Sequence, residues 1–238
     1  MSIHPTRARL SPRQEEIRFA LLAVGGGVAG AYGSVYCGHV FANALTGNLV
    51  SLAAELYAGR WAGVLARLGG VGLFLLGVAL SVVLPVRMAG GDPGVWQRRC
   101  LLVEAGCFAL QALLPYRALT ALSPALYLWP VFFASGLQYN TFTALHGVPI
   151  STLFCTNNLR QLTLHGLVAR RQARAGQRAE ADRETRIALS YLAVTGLFCL
   201  GLLLGVALLA PLGPRLMWLN AALLLGLWLW QKLAAPAD

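Results

Sequence analysis

The stretch FANALTGNLVSLA, from Phe41 to Ala53, has a counterpart 110 residues later, STLFCTNNLRQLT, from Ser151 to Thr163. Each stretch follows a long apolar run and carries a short polar triplet at the same place. The two triplets are Thr46-Gly47-Asn48 and Thr156-Asn157-Asn158. Because polar side chains are costly beside hydrocarbon, their recurrence at one spacing indicates a role that both copies share.

The composition is that of a membrane protein. Of the 238 residues, 57% are hydrophobic and 12% are charged, whereas a soluble domain carries about 25% charged residues. Six apolar runs approach the length of about 20 residues that crosses a bilayer, and they leave no room for a separate soluble domain. We predict spans at Ile17–Tyr36, Leu68–Val86, Cys100–Tyr116, Leu126–Leu145, Ile187–Leu212 and Leu216–Leu233.

The basic residues are distributed unevenly between the two sides of the predicted membrane. With the N-terminus inside, 15 of the 19 basic residues lie in inside segments and 4 in outside segments. Short basic segments stay in the cytoplasm, so we predict that both termini are cytoplasmic and that the lipid bilayer is the partner. The formal charge of +10 does not indicate a nucleic-acid partner, because the basic residues are spread over short loops and form no single phosphate-binding face.

The two halves of the chain match each other. The offset of 110 that aligns the triplets also sets Gly26 against Gly136. The hexapeptide GLFLLG at Gly72–Gly77 matches GLFCLG at Gly196–Gly201 with an offset of 124, and Glu104 matches Asn220 with an offset of 116. Since each half holds three spans, an odd number, the second half enters the membrane from the opposite side, as in inverted-repeat transporters.

These features predict an all-α polytopic membrane protein with about six transmembrane helices in two inverted three-helix repeats. The repeats are residues 17–118 and 123–233, and the second contains a basic cytoplasmic loop at 169–186. A cytoplasmic N-terminal tail at 1–16 and a C-terminal tail at 234–238 flank them. The Gly77-x3-Ser81 and Gly201-x3-Gly205 pairs are predicted packing faces, within the chain or at the seam of a homodimer.

The segments that hold the triplets, Cys37–Ala58 and Gly147–Val168, are too polar for confident spans and too apolar for plain loops. We predict that each is a re-entrant piece or the second half of a broken helix, with non-helical backbone buried in protein or facing water. Thr46 and Asn48 would cap a half-helix that begins near Leu49, and Thr156 or Asn157 would do the same near Leu159. The positive end of such a half-helix favours an anion or a substrate carboxylate. In the alternative, these residues cap helices and hold the repeats together.

Further site candidates lie inside predicted spans. Gln138, Asn140 and Thr141 lie in the fourth span, where polar side chains face helices or a cavity and not lipid. Glu104 is an acid inside the third span and a candidate for ion or proton coupling. It lies near the cytoplasmic end of that span, so its carboxylate could instead reach Arg98 or Arg99.

Three of these elements resemble one known family. The Thr-Gly-Asn triplet after the first span, Gly136-Leu137-Gln138, and the repeated Gly-Leu-Phe element resemble YoaK-like bacterial membrane proteins over residues 17–233. This chain has Ala29 where the family often has Asp, Tyr139 where it has Asn, and Asn157 where it has Gly. The resemblance implies the membrane architecture and leaves the substrate open, since the family carries a domain of unknown function.

We therefore predict a secondary transporter of a small solute in a bacterial inner membrane, working by alternating access. The half-helix polarity favours an anionic solute, and the site would hold the two triplets with Gln138, Asn140 and Thr141. An ion or small-solute channel and a non-transporting scaffold or regulator are the alternatives. An enzyme is not expected, because nothing forms a nucleophile with a base. No cofactor or metal is expected either, since His39, His146 and His165 each lack a second ligand one helical turn away.

Overall fold

The computed structural model describes residues 10–234, so most of the predicted N-terminal tail and residues 235–238 of the C-terminal tail lie outside the described residues. The structure is 83% helical, which confirms the all-α class. The ten helices of the described part are α1 (Pro12–Ala31), α2 (Leu45–Tyr57), α3 (Trp61–Ala89), α4 (Pro93–Leu113), α5 (Tyr116–Leu122), α6 (Pro124–Tyr127), α7 (Trp129–Thr141), α8 (Thr156–Arg174), α9 (Arg178–Leu212) and α10 (Leu216–Ala234).

Three shorter elements lie between these helices. A π-helical turn at Tyr32–Tyr36 extends α1, and a 3-10 turn at Gly213–Arg215 joins α9 to α10. The short strands β1 (Ala144–Leu145) and β2 (Val148–Pro149) form an antiparallel hairpin after α7. The predicted fourth span, Leu126–Leu145, is wrong at its end, because α7 stops at Thr141 and the chain turns into this hairpin.

Local sequence sets the helix starts. Ser11 forms a capping box with Gln14, and Pro12 occupies the first turn, where the missing N–H is tolerated. Asp92 accepts hydrogen bonds from the N–H groups of Gly94 and Val95, so α4 begins at Pro93, seven residues before the predicted third span.

The helices are compatible with a membrane protein. Within residues 10–234, three helical stretches are long and apolar enough to cross a membrane, namely Pro12–Tyr36, Trp61–Ala89 and Arg178–Leu233. A fourth is added if Pro93–Leu113 and Tyr116–Leu122, which meet at 89°, count as one broken span. Large apolar side chains such as Leu75, Leu203 and Val206 are 51–69% exposed, as expected for helix faces that contact lipid.

Two helix pairs form the core, with α1 against α9 and α7 against α3. At both crossings glycines let the backbones touch. A Cβ on Gly27 would overlap the Phe198 carbonyl of α9, and a Cβ on Gly136 would overlap the Phe74 carbonyl of α3. The reciprocal contacts come from Gly201 and Gly77, which confirms their packing role within the chain.

These contacts correct one predicted match. Gly27, and not Gly26, occupies the place equivalent to Gly136, so the offset within α1 and α7 is 109. Gly26 faces the Thr152 carbonyl instead. Helix α4 packs on α10, beside the two glycine crossings.

Candidate functional site

Two non-helical segments meet inside the helix bundle. The first break is residues 37–44, between the π-helical turn and α2, and the second break is residues 142–155, between α7 and α8. The Asn43 Nδ2 donates to the Leu153 carbonyl at 2.7 Å, and both residues are buried. Positions 43 and 153 are 110 residues apart, so the two breaks touch at matching points.

Each break is held by a buried asparagine from the helix that follows it. Asn48 accepts from the Phe41 N–H at 3.3 Å and donates to the Phe41 carbonyl. Asn158 accepts from the Ser151 N–H at 3.2 Å and donates to the Ser151 carbonyl at 2.7 Å. Both asparagines thus bind the backbone seven residues earlier, and they are 0% and 1% exposed. We call these two contacts the asparagine clamps.

The predicted capping roles are wrong. The residues that cap α2 and α8 are Ala44 and Cys155, and neither gives a side-chain capping hydrogen bond. Both helices begin earlier than predicted, so the two asparagines lie in the first turn and point back at the break.

The other triplet residues lie apart from the clamps. Thr46, Thr156 and Asn157 are exposed. Gly47 lies against the Phe41 ring, where a Cβ would come within 3.1 Å of a ring carbon. Of the six triplet residues, therefore, only Asn48 and Asn158 fix the breaks.

The breaks also contain strained histidines. His39 has a φ of +60° and His146 a φ of +50°, values that side chains larger than Gly rarely adopt. Each is next to a glycine in the same region, Gly38 or Gly147. The paired left-handed residues let each break reverse its direction tightly, and such strain is tolerated where the surroundings fix it.

Arg67 of α3 extends the first clamp. It is 6% exposed, its Nη1 donates to the Asn48 Oδ1 at 3.1 Å, and its Nε lies 3.1 Å from Glu55 Oε2 of α2. The offsets of 110 and 124 set Glu55 against His165 and Arg67 against Tyr191. The His165 ring stacks on the Tyr191 ring with their centroids 5.8 Å apart, and its Nδ1 lies 2.5 Å from Glu184 Oε2. An ion pair joins α2 to α3, and a stacked histidine joins α8 to α9.

The polar residues of the fourth predicted span lie in the last turn of α7, and all three bind protein. Gln138 Nε2 donates to Thr152 Oγ1 of the second break at 2.9 Å. Asn140 Nδ2 donates to Ser81 Oγ of α3 at 2.8 Å. Thr141 Oγ1 accepts from the indole N–H of Trp96 in α4 at 3.0 Å. The end of α7 is thereby tied to the second break, α3 and α4.

Glu104 of α4 is 0% exposed. The Cys100 thiol donates to its Oε1 at 3.1 Å, while its Oε2 has no hydrogen-bond partner within residues 10–234. The predicted reach to Arg98 or Arg99 is wrong, since Glu104 is held one turn away at Cys100 and Arg99 donates to the Met88 carbonyl. A carboxyl group is therefore enclosed in the bundle with one oxygen uncommitted.

Two open cavities lie at opposite ends of α9. The first, which we call the basic cavity, has a volume of about 380 Å³ and lies between the β-hairpin, α8 and the start of α9. The second, the tyrosine cavity, has a volume of about 690 Å³ and includes Tyr36, Tyr116 and Pro214, just past the end of α9. Gly30 of α1 adjoins both the Asn43 side chain and the Phe198 and Leu202 side chains of α9, so the contact between the breaks lies close to the middle of α9.

The tyrosine cavity and its surroundings were not predicted from the sequence. The rings of Tyr36 and Tyr116 are 4.6 Å apart, and the hydroxyl groups of Tyr32 and Tyr127 are 2.9 Å apart. The four tyrosines come from the π-helical turn, α5 and α6. The roles of Asn43 and Arg67 were not predicted either, although Asn43 lies inside Phe41–Ala53 and Arg67 is a charged residue directly before an apolar run.

The comparisons with known proteins give a family and no function. The chain belongs to the family described as Protein of unknown function (DUF1275), which matches residues 19–230 and includes the YoaK-like proteins. No curated protein and no solved structure matches the chain.

Proposed function

We propose that this member of the DUF1275 family is a secondary transporter of a small solute, built from two inverted repeats and working by alternating access. The observation that carries the proposal is the pair of asparagine clamps, which hold two breaks that touch at Asn43 and Leu153. Paired breaks between two repeats are where secondary transporters bind substrate and coupling ions.

The contacts between helices support the repeat. If α1, α2, α3 and α4 correspond to α7, α8, α9 and α10, then the α1–α9 and α7–α3 crossings exchange under a two-fold rotation. The glycines at both crossings obey the offsets of 109 and 124. The rotation axis would pass between residues 43 and 153 and between α4 and α10, because in both cases an element contacts its own counterpart in the other half.

The clamps suggest how such a transporter would move. Each clamp makes a break and its following helix one rigid unit, so the contact between Asn43 and Leu153 is the flexible point where the two repeats meet. Rocking at this contact would open the central site to one side of the membrane and then to the other. The first turns of α2 and α8 present helix N-termini, which favour an anionic solute.

Transport is tested with purified protein in liposomes loaded against a panel of metabolites, with and without a proton gradient. Asn43→Ala removes the contact between the breaks and leaves both clamps intact, so we expect a changed rate and a retained fold. Thr163→Ala, which loses only a hydrogen bond to the Leu159 carbonyl at an exposed position of α8, is the control. No uptake of any solute by the wild type, or equal rates in wild type and Asn43→Ala, would contradict the proposal.

Glu104 is our candidate for coupling, because its carboxyl is enclosed and one oxygen has no partner in the described chain. Glu104→Gln keeps the shape and removes the titratable group. We expect counterflow exchange to continue in this variant while gradient-driven accumulation is lost. Accumulation equal to that of the wild type would remove Glu104 from the coupling step.

The orientation is tested independently of transport. The proposal puts both termini and the α8–α9 connection in the cytoplasm and the α2–α3 connection at Gly59 outside. An epitope inserted at Ala175 should be reached by antibody only after the cells are opened, whereas one at Gly59 should be reached in cells with a permeable outer membrane. The reverse result would overturn the predicted orientation, and two epitopes on the same side of the membrane would overturn the inverted repeat.

A further inference from the structure

The basic cavity has an asymmetric lining. Arg183 and Arg186, one turn apart on α9, face Gln161 and His165, one turn apart on α8, and His146 of the hairpin closes a third side. With the offset of 124, Arg183 and Arg186 correspond to Gly59 and Ala62, which carry no charge. The arginine pair therefore has no counterpart at these two positions of the first half.

The two arginines are uncommitted, whereas both histidines have acidic neighbours. In the part of the chain that the structure describes, neither guanidinium forms an ion pair. Glu184 pairs with His165. The His146 Nε2 lies 3.8 Å from carboxylate oxygens of Glu15 and of Glu16. The acids near the cavity thus contact its histidines and leave the two arginines free to bind an external anion.

The cavity also has an apolar side. Val148, Pro149 and Ile187 line it together with the charged groups. Ile187 begins the apolar part of α9, while Arg178–Arg186 form two polar turns before it. A helix of 35 residues is about 52 Å long, well beyond the roughly 30 Å of a hydrocarbon core. With the apolar part of α9 across the bilayer, as the proposed architecture requires, the arginines lie at the depth where lipid headgroups and water meet.

We infer that the basic cavity binds a phosphate group, carried by an anionic phospholipid headgroup or by a small phosphate monoester. Guanidinium groups bind phosphate oxygens with paired, charge-assisted hydrogen bonds, and two arginines one turn apart present them to one ligand. Gln161 also lines the cavity, and the N–H groups of its side-chain amide can donate to a phosphate oxygen. This site is separate from the proposed transport path and does not depend on transport.

The test is direct binding to the full-length protein in detergent. The soluble probes are inorganic phosphate and glycerol 3-phosphate, and the lipid probes are short-chain phosphatidylglycerol and phosphatidylcholine below their micelle concentrations. Binding is read from the shift in unfolding temperature with concentration. Soluble probes that bind assign the site to a free phosphate monoester, and binding of phosphatidylglycerol alone assigns it to a lipid headgroup.

Three variants give the proposal its controls. The Arg183→Gln/Arg186→Gln variant should bind at least about ten-fold more weakly, the effect of losing one charged hydrogen bond. Gln161→Glu, which adds a carboxylate to the cavity, should weaken binding without removing an arginine. Arg170→Gln/Arg171→Gln loses the same charge from exposed positions outside the cavity and should bind like the wild type. Equal weakening in the two arginine variants, or no binding by the wild type to any of the anionic probes, would overturn the inference.

Discussion

The asparagine clamps make a quantitative prediction about stability. Asn158→Ala leaves the N–H and the carbonyl of Ser151 without their partner. An unsatisfied buried group costs about 1–3 kcal/mol. Because Ser151 is only half-buried, we take about 1 kcal/mol for each group and expect a loss of about 2 kcal/mol.

Asn48→Ala should be the more damaging of the pair. It breaks the same two contacts with the Phe41 backbone and also removes the acceptor of Arg67 Nη1. A hydrogen bond to a charged group contributes about 1.5–3 kcal/mol, so the expected loss rises to about 3.5 kcal/mol. The measurement is the free energy of unfolding of the purified protein in detergent, followed by circular dichroism.

The control for this pair is Asn157→Ala, an exposed neighbour whose loss should change stability by less than about 0.5 kcal/mol. The clamp reasoning fails if Asn157→Ala costs as much as Asn158→Ala. It also fails if Asn48→Ala is the milder clamp variant, since the contact with Arg67 would then contribute nothing.

Three further predictions concern charge and packing. Asn48→Asp should be tolerated better than Asn158→Asp, because Arg67 faces position 48; a reversed order in the same unfolding assay would argue against the buried contact. Gly201→Ala should lower the unfolding free energy by about 1–3 kcal/mol through overpacking, whereas Gly196→Ala on the same helix, with nothing within 4 Å of the added Cβ, should be neutral or slightly stabilising. Arg67→Met leaves Glu55 as an unpaired half-buried carboxylate and should cost up to about 3 kcal/mol, much of which the added substitution Glu55→Gln should restore; a double variant no better than Arg67→Met would contradict the pairing.

The sequence located both breaks and misjudged their chemistry. The recurring triplets placed a polar interruption after two apolar runs, and the structure has non-helical segments there, at residues 37–44 and 142–155. The capping roles were wrong because a Thr or Asn near a helix start has two uses, and the choice depends on where the preceding backbone goes. That path is fixed by the contact of Asn43 with Leu153 and by glycine crossings between helices far apart in the chain.

The polar residues of α7 show the same limit. Their sequence pattern indicates that Gln138, Asn140 and Thr141 avoid lipid, and all three are indeed hydrogen-bonded to protein. Gln138 and Thr141 are three residues apart, a spacing that puts them on one face of a helix, yet their partners belong to the second break and to α4. Periodicity specifies a side chain's direction around its own helix and gives no information about which neighbour lies in that direction.

By itself, the sequence determined the membrane-compatible, all-α character of this protein, its family and the positions of its breaks. The helical, membrane-compatible character and the breaks follow from hydrophobicity and local backbone preference, which act over a few residues, and the family follows from short motifs. Only the tertiary structure decided that Asn48 and Asn158 bind backbone seven residues earlier, that Arg67 is buried against Asn48, and that the hairpin, α8 and α9 together line the basic cavity. These contacts depend on the mutual placement of helices, and the free energy of that placement is summed over packing between residues distant in the chain.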